Sequence, residues 1–77
     1  MPHIVVKMLA GRSEEQKQGL ADAITREVTA LLHVGDESVS VAIEDVAPGE
    51  WEWKVYEPEI ASNWAKLYKE PGYGARR

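Results

Sequence analysis

The chain contains no cysteine. Disulfide staples and thiolate metal sites are excluded, and the redox compartment stays open. Histidine is scarce as well. His3 and His33 stand far apart without metal-ligand spacing, so no zinc-stabilised mini-domain is expected. No apolar run reaches the roughly 18 residues of a membrane span. Met1-Pro2-His3-Ile4 has no basic segment ahead of an apolar stretch, so no signal peptide is read and a cytoplasmic setting is expected. Positive charge is in deficit. A formal net charge of −4 argues against a nucleic-acid binder that works by neutralising phosphates. Internal repeats, low-complexity tracts and linkers are missing too, so residues 1–77 are expected to form a single domain.

What is present is ordinary globular composition, 44% hydrophobic and 29% charged. A domain of this size buries only about 60% of the surface its unfolded chain exposes, so a lone monomer would be marginal. With neither disulfides nor metal to compensate, self-association is the expected remedy.

Residues 2–9 are β-branched and almost continuously apolar after His3, the pattern of a strand covered on both faces. Ser13-Glu14-Glu15-Gln16 is a capping box. The Ser13 hydroxyl can accept the Gln16 backbone N–H while Gln16 reaches back to the Ser13 N–H. A helix is predicted over 14–33, with Leu20, Ile24, Val28, Leu31 and Leu32 on one apolar stripe. Gly35 is the expected left-handed cap. Residues 38–45 alternate, with Val39, Val41 and Ile43 facing one way, and read as a second strand. Strand, long helix and strand make a β-α-β unit with two parallel strands, hence the α+β class. After a turn at Pro48-Gly49, a further helix is predicted over 58–69 with Pro58 in its first turn. It carries Ile60, Trp64, Leu67 and Tyr68. Residues 70–77 read as a loose tail around Pro71-Gly72.

Chemistry starts at Pro2. Methionine is removed before small residues, which would leave a secondary amine at the start of the chain. Such an α-amine titrates near a generic value of about 7.7–8.0, and apolar burial or a neighbouring cation lowers it. A base poised near neutrality moves protons on carbon beside a carbonyl. Met1 retention would turn the same nitrogen into an amide. Arg12 stands beside the first helix N–H groups, a natural place for bidentate carboxylate binding. His3 follows the base directly and holds a strand edge or tunes the local field. His33 suits the helix C-terminus. Trp51, Trp53 and Trp64 read as core or interface anchors, one of which can wall an apolar pocket. Glu50, Glu52, Glu57 and Glu59 read as solvation and dipole complement.

Pro2, the strand PHIVVKML, the stretch Gly11-Arg12-Ser13-Glu14-Glu15-Gln16-Lys17 and the strand SVSVAIED together resemble the 4-oxalocrotonate tautomerase family. Trp51, PEIASNWAKLYK and the ending Lys69-Glu70-Pro71-Gly72-Tyr73 are similar to its longer, dimeric PptA-type branch. The resemblance implies a tautomerase/MIF-like fold, a homodimer with a four-stranded sheet, and no cofactor or metal. It implies that Pro2 is the acid/base catalyst, that Arg12 binds a substrate carboxylate and that Trp51 keeps the pocket apolar. Leu9 would shape that pocket. Ser40 falls where hexameric members carry a second arginine, which puts a dicarboxylate substrate at a disadvantage. The extra helix replaces a hairpin that stacks dimers in those members, which favours two subunits over six.

The function expected is an enol–keto tautomerase acting on a small α-keto acid or enol such as phenylpyruvate. No nucleic-acid or membrane partner is expected. Two other classes fit the same residues. One is a dimeric binding or scaffold protein with a vestigial site, which a retained Met1 would favour. The other is a Pro2-dependent dehalogenase or decarboxylase, for which Glu44 and Glu52 are the nearest water-activating carboxylates.

Overall fold

The structure, a computed structural model, describes residues 1–74. Packing divides the chain into two compact units, Met1–Asp45 and the part from Val46 onward.

Strand β1 (His3–Leu9) and strand β2 (Ser40–Val46) pair in a two-stranded sheet. The Ser40 N–H donates to the Pro2 carbonyl at 3.2 Å, so both strands begin at the same end and run parallel. Helix α1 (Glu14–Leu32) makes the crossover. Its start follows the expected capping box: Gln16 N–H donates to Ser13 Oγ at 3.0 Å and Ser13 N–H to Gln16 Oε1 at 2.9 Å. Glu14 and Glu15 in the first turn complement the helix dipole. Leu20, Ile24 and Val28 are half-buried, but Leu31 and Leu32 at the end of the stripe are exposed.

Three expectations are corrected in this unit. The helix ends at Leu32, and the left-handed residue is His33 (φ 57°), not Gly35, which is extended at φ −85°. Histidine is one of the few non-glycine residues that visits this region with some frequency, so the helix stops one residue early and its left-handed cap falls two residues before Gly35. A 3-10 turn (Asp36–Ser38) then takes up the residues expected to open β2, which begins at Ser40. Third, β1 is not covered on both faces within one chain, because Val5 and Leu9 are exposed. One helix covers one face of a two-stranded sheet and no more.

The second unit holds the buried apolar residues Val46, Val55 and Tyr56. A 3-10 turn (Pro48–Glu50) leads through Trp51 into a π-helix (Glu52–Ile60) and a 3-10 segment (Ala61–Lys66). The expected helix over 58–69 therefore starts earlier and ends sooner, and Pro58 lies inside it. Proline has no N–H to give to the helix ladder, and its ring crowds the preceding turn. The winding widens there, and at its C-terminal end side chains of the following segment bond backbone carbonyls. Ser62 Oγ donates to the Glu57 carbonyl at 2.7 Å, and Asn63 Nδ2 to the Pro58 carbonyl at 3.2 Å. Tyr68 falls beyond the helix and is fully exposed.

Within the segment read as a loose tail, residues 70–77, Tyr73 and Gly74 have packing partners. The Tyr73 ring lies tilted against Tyr56 at 5.8 Å between centroids, and its hydroxyl accepts the Trp51 Nε1–H at 3.1 Å. Gly74 has φ +100°, and a Cβ there would overlap the Tyr56 ring. Residues 75–77 lie outside the described residues. Among the described residues, no helix is long and apolar enough to cross a membrane.

Candidate active site

The first candidate group sits where the two strands begin. Pro2 is half-buried. Its carbonyl is held by the Ser40 N–H, while its nitrogen takes no part in the ladder and carries Met1. One residue on, the His3 ring Nδ1 and Ser40 Oγ share a hydrogen bond of 2.6 Å. Pro2, His3 and Ser40 therefore form one cluster. The His3–Ser40 bond was not foreseen from the residues alone. The signal that would have found it is register: in a parallel pair, the first residues of the two strands are neighbours.

Arg12 is elsewhere. It follows β1 at the other end, after Leu9, Ala10 and Gly11, whose φ of +130° turns the chain toward α1. A seven-residue strand spans roughly 20 Å or more, so Pro2 and Arg12 of one chain are not in one place. Arg12 is exposed and lines a pocket of about 130 Å³ with Met8, Gln16, Lys17 and Leu20. Leu9, expected in the site, is exposed at the strand end and is not among those lining residues.

The two cations of this pocket differ. Lys17 donates to Asp45 Oδ2 at 2.6 Å and to Glu14 Oε2 at 3.2 Å. The hydrogen bond to Asp45, and then that to Glu14, hold its pKa above the ordinary 10.5. Its charge is balanced on the spot. Arg12 has no ion-pair partner among the described residues. An anion entering the pocket therefore meets a free guanidinium rather than a neutralised pair. Lys17 and Gln16 were not expected as pocket residues.

Trp51, in the second unit, is half-buried and tied through its indole N–H to Tyr73. Tyr73 as a holder of Trp51 was not foreseen either. Trp53 is exposed with the Lys54 ammonium 5.3 Å from its ring centre. Glu44 and Glu52 are exposed, Glu44 on β2 and Glu52 at the start of the π-helix. Among the described residues, no three His, Cys, Asp or Glu side chains gather as metal ligands.

The family model for the tautomerase enzymes matches residues 2–55. The chain belongs to the tautomerase family. It is 45% identical over 74 residues to a probable tautomerase of Xylella fastidiosa, covering 96% of this chain and 90% of that protein. It is 40% identical over 74 residues to the tautomerase PptA of Cronobacter sakazakii, covering 95% and 97%. Among solved structures, a heterohexameric 4-oxalocrotonate tautomerase from Chloroflexus aurantiacus superposes with a TM-score of 0.64 at 37% identity, covering 66% of this chain and 82% of that one. The protein is thus a tautomerase, an isomerase by reaction type. The family model stops at residue 55, whereas the PptA relative is matched over nearly the whole chain, so the likeness to it extends into the C-terminal helical segment.

Proposed function

We propose that this tautomerase interconverts the enol and keto forms of small α-keto acids of the phenylpyruvate kind, with Pro2 as acid and base. The observation that carries the reading is how Pro2 is held. Its carbonyl is anchored to Ser40, and its nitrogen is left as the group that Met1 removal would free. A strand-locked secondary amine is a positioned base, and position is worth much of a catalyst's effect.

The step needs no cofactor. The Pro2 nitrogen takes the proton of the enol hydroxyl, and the O–H electron pair stays on oxygen as an enolate. An oxygen pair then forms the carbonyl π bond as the C=C pair takes that proton from the prolinium onto carbon. One proton moves from oxygen to carbon and nothing else changes. Arg12 would hold the substrate carboxylate through two parallel N–H···O bonds. Trp51 would supply an apolar wall.

Pro2 and Arg12 stand at opposite ends of β1, so a small substrate cannot reach both in one chain. The pocket at Arg12, about 130 Å³, is also below the usual 300–1,000 Å³ of ligand sites. The reading therefore includes a homodimer in which the Pro2 end of one subunit meets the Arg12 end of the other. It also gives Ser40 no charge for a second carboxylate, which favours monocarboxylic substrates.

The test is ketonisation of phenylenolpyruvate by protein of verified N-terminus. Intact mass first separates chains with and without Met1. Turnover is expected from the Met1-free chain, with a pH–rate profile that depends on a group near neutrality. Equal turnover by the Met1-retaining chain, whose Pro2 nitrogen is an amide, would remove Pro2 as the base. No turnover by either form would favour the binding or scaffold reading.

A further inference from the structure

We propose that His3 and Ser40 form a clamp that positions the Pro2 amine, and that both are positioning residues for the reaction. The inference rests on Pro2 being the base. Three facts carry it. β1 begins at His3, so Pro2 lies just outside the strand, where chain ends fray. The Ser40 N–H reaches back to the Pro2 carbonyl at 3.2 Å. The Ser40 hydroxyl grips the next residue, His3, at 2.6 Å. A single residue of β2 thus holds two consecutive residues, Pro2 through backbone and His3, the first residue of β1, through side chain.

The geometry suits a fixed hold rather than a switch. A hydroxyl both donates and accepts. It donates to Nδ1 when that ring nitrogen is bare and accepts from it when it is protonated. The bond therefore survives either charge state of His3. The grip also fixes the direction of the Pro2 carbonyl, and with it the torsion that aims the pyrrolidine nitrogen. An error of about 1 Å in placing a reacting group can cost on the order of a hundredfold in rate. Ser40 is exposed, so losing its hydroxyl removes little besides this bond.

The experiment compares the parent chain with Ser40→Ala, Ser40→Thr, His3→Phe and the double variant Ser40→Ala/His3→Phe, all of verified N-terminus, on phenylenolpyruvate. Ser40→Ala is expected to lower kcat about ten- to a hundredfold, with KM changed less than about twofold, because placement and not substrate binding is lost. The shape of its pH–rate profile should match the parent's. Ser40→Thr keeps the hydroxyl and should recover most of the rate. The double variant should be no slower than the worse single one, since either change opens the same clamp. An indifferent Ser40→Ala, a loss that threonine does not repair, independent losses that multiply, or a rise in KM alone would each overturn the clamp. The parent chain serves as the control for the reading beneath it. Turnover that persists when the Pro2 nitrogen is an amide sinks that reading and the clamp together. Pro2-dependent turnover with an indifferent Ser40→Ala sinks the clamp alone.

Discussion

Arg12 owes its availability to a neighbour. Lys17 shares its pocket but is occupied by Asp45 and Glu14, so the guanidinium is left to bind an anion. Arg12→Ala should lower kcat/KM for α-keto acids by about a hundredfold, corresponding to roughly 3 kcal/mol for two charge-assisted bonds. Arg12→Lys should recover only part, because an ammonium lacks the two-pronged fork. Steady-state kinetics of both variants check this, and unchanged constants in both would remove Arg12 from the site. Gly11 supports the same residue. At φ +130° an alanine is strained whatever the space, so Gly11→Ala should cost about 1–3 kcal/mol in chemical denaturation. The place of Arg12 just ahead of α1 was legible in the sequence, because the capping box is local to the chain. The occupation of Lys17 was not, because Asp45 is 28 residues away and meets it only once β2 lies against α1.

Helix α1 shows where local sequence speaks clearly and where it is overruled. Its start was readable from Ser13 and Gln16, since a capping box is a contact between neighbours in the chain. Its end was not, because Gly35 advertised a left-handed cap that His33 adopts instead. His33→Gly should therefore stabilise the protein by about 1 kcal/mol, seen as a higher urea midpoint at unchanged slope. A lower midpoint would mean that the imidazole contributes more than its backbone strain costs. The C-terminal helical segment was legible in existence but not in form. Pro58 looked like a first-turn residue, yet it lies inside a π-helix, after which the Ser62 and Asn63 side chains bond carbonyls five residues back. A reading at about 3.6 residues per turn does not reveal the wider winding. The tie between α1 and β2 makes a prediction about pH. The pKa of Lys17 is raised in the folded state, so its contribution to stability is full below the unfolded value of 10.5 and is lost as pH rises through the folded one. Unfolding curves of the parent and of Lys17→Met should differ by a constant amount through neutral pH and converge only above pH 10.5. Convergence near neutrality would contradict the role given to this bridge.

At the scale of the molecule, the distribution of burial asks for a second copy. Among the described residues, none of the buried apolar ones lies in the first unit, and α1 contributes none. That unit exposes Val5 (44%), Leu9 (45%), Leu31 (72%) and Leu32 (57%). The sheet has two strands, so each has an unpaired edge, the usual template for joining another strand. A two-stranded sheet with one helix on it buries little, and a domain of this size is marginal as a lone monomer. Edge-to-edge pairing of two chains gives four strands and satisfies the backbone groups of the joined edges. It also bears on function, since Pro2 and Arg12 sit at opposite ends of β1 and only an antiparallel arrangement of two copies brings one to the other. Light scattering at micromolar concentration should therefore give about 17 kDa, twice the 8.6 kDa of the chain. The melting temperature should rise with protein concentration, as it does when folding and association are linked. Val5→Lys places a charge on a strand face that is already exposed in a monomer, where it would cost little. In a dimer that covers this face it should lower the melting temperature and shift the mass toward 8.6 kDa, with loss of turnover because neither half-site is then complete. A monomer that melts at one temperature at every concentration and still turns over substrate would undo both the core argument and the shared site. A hexamer would leave the shared site standing but show that the C-terminal helical segment does not limit assembly to two.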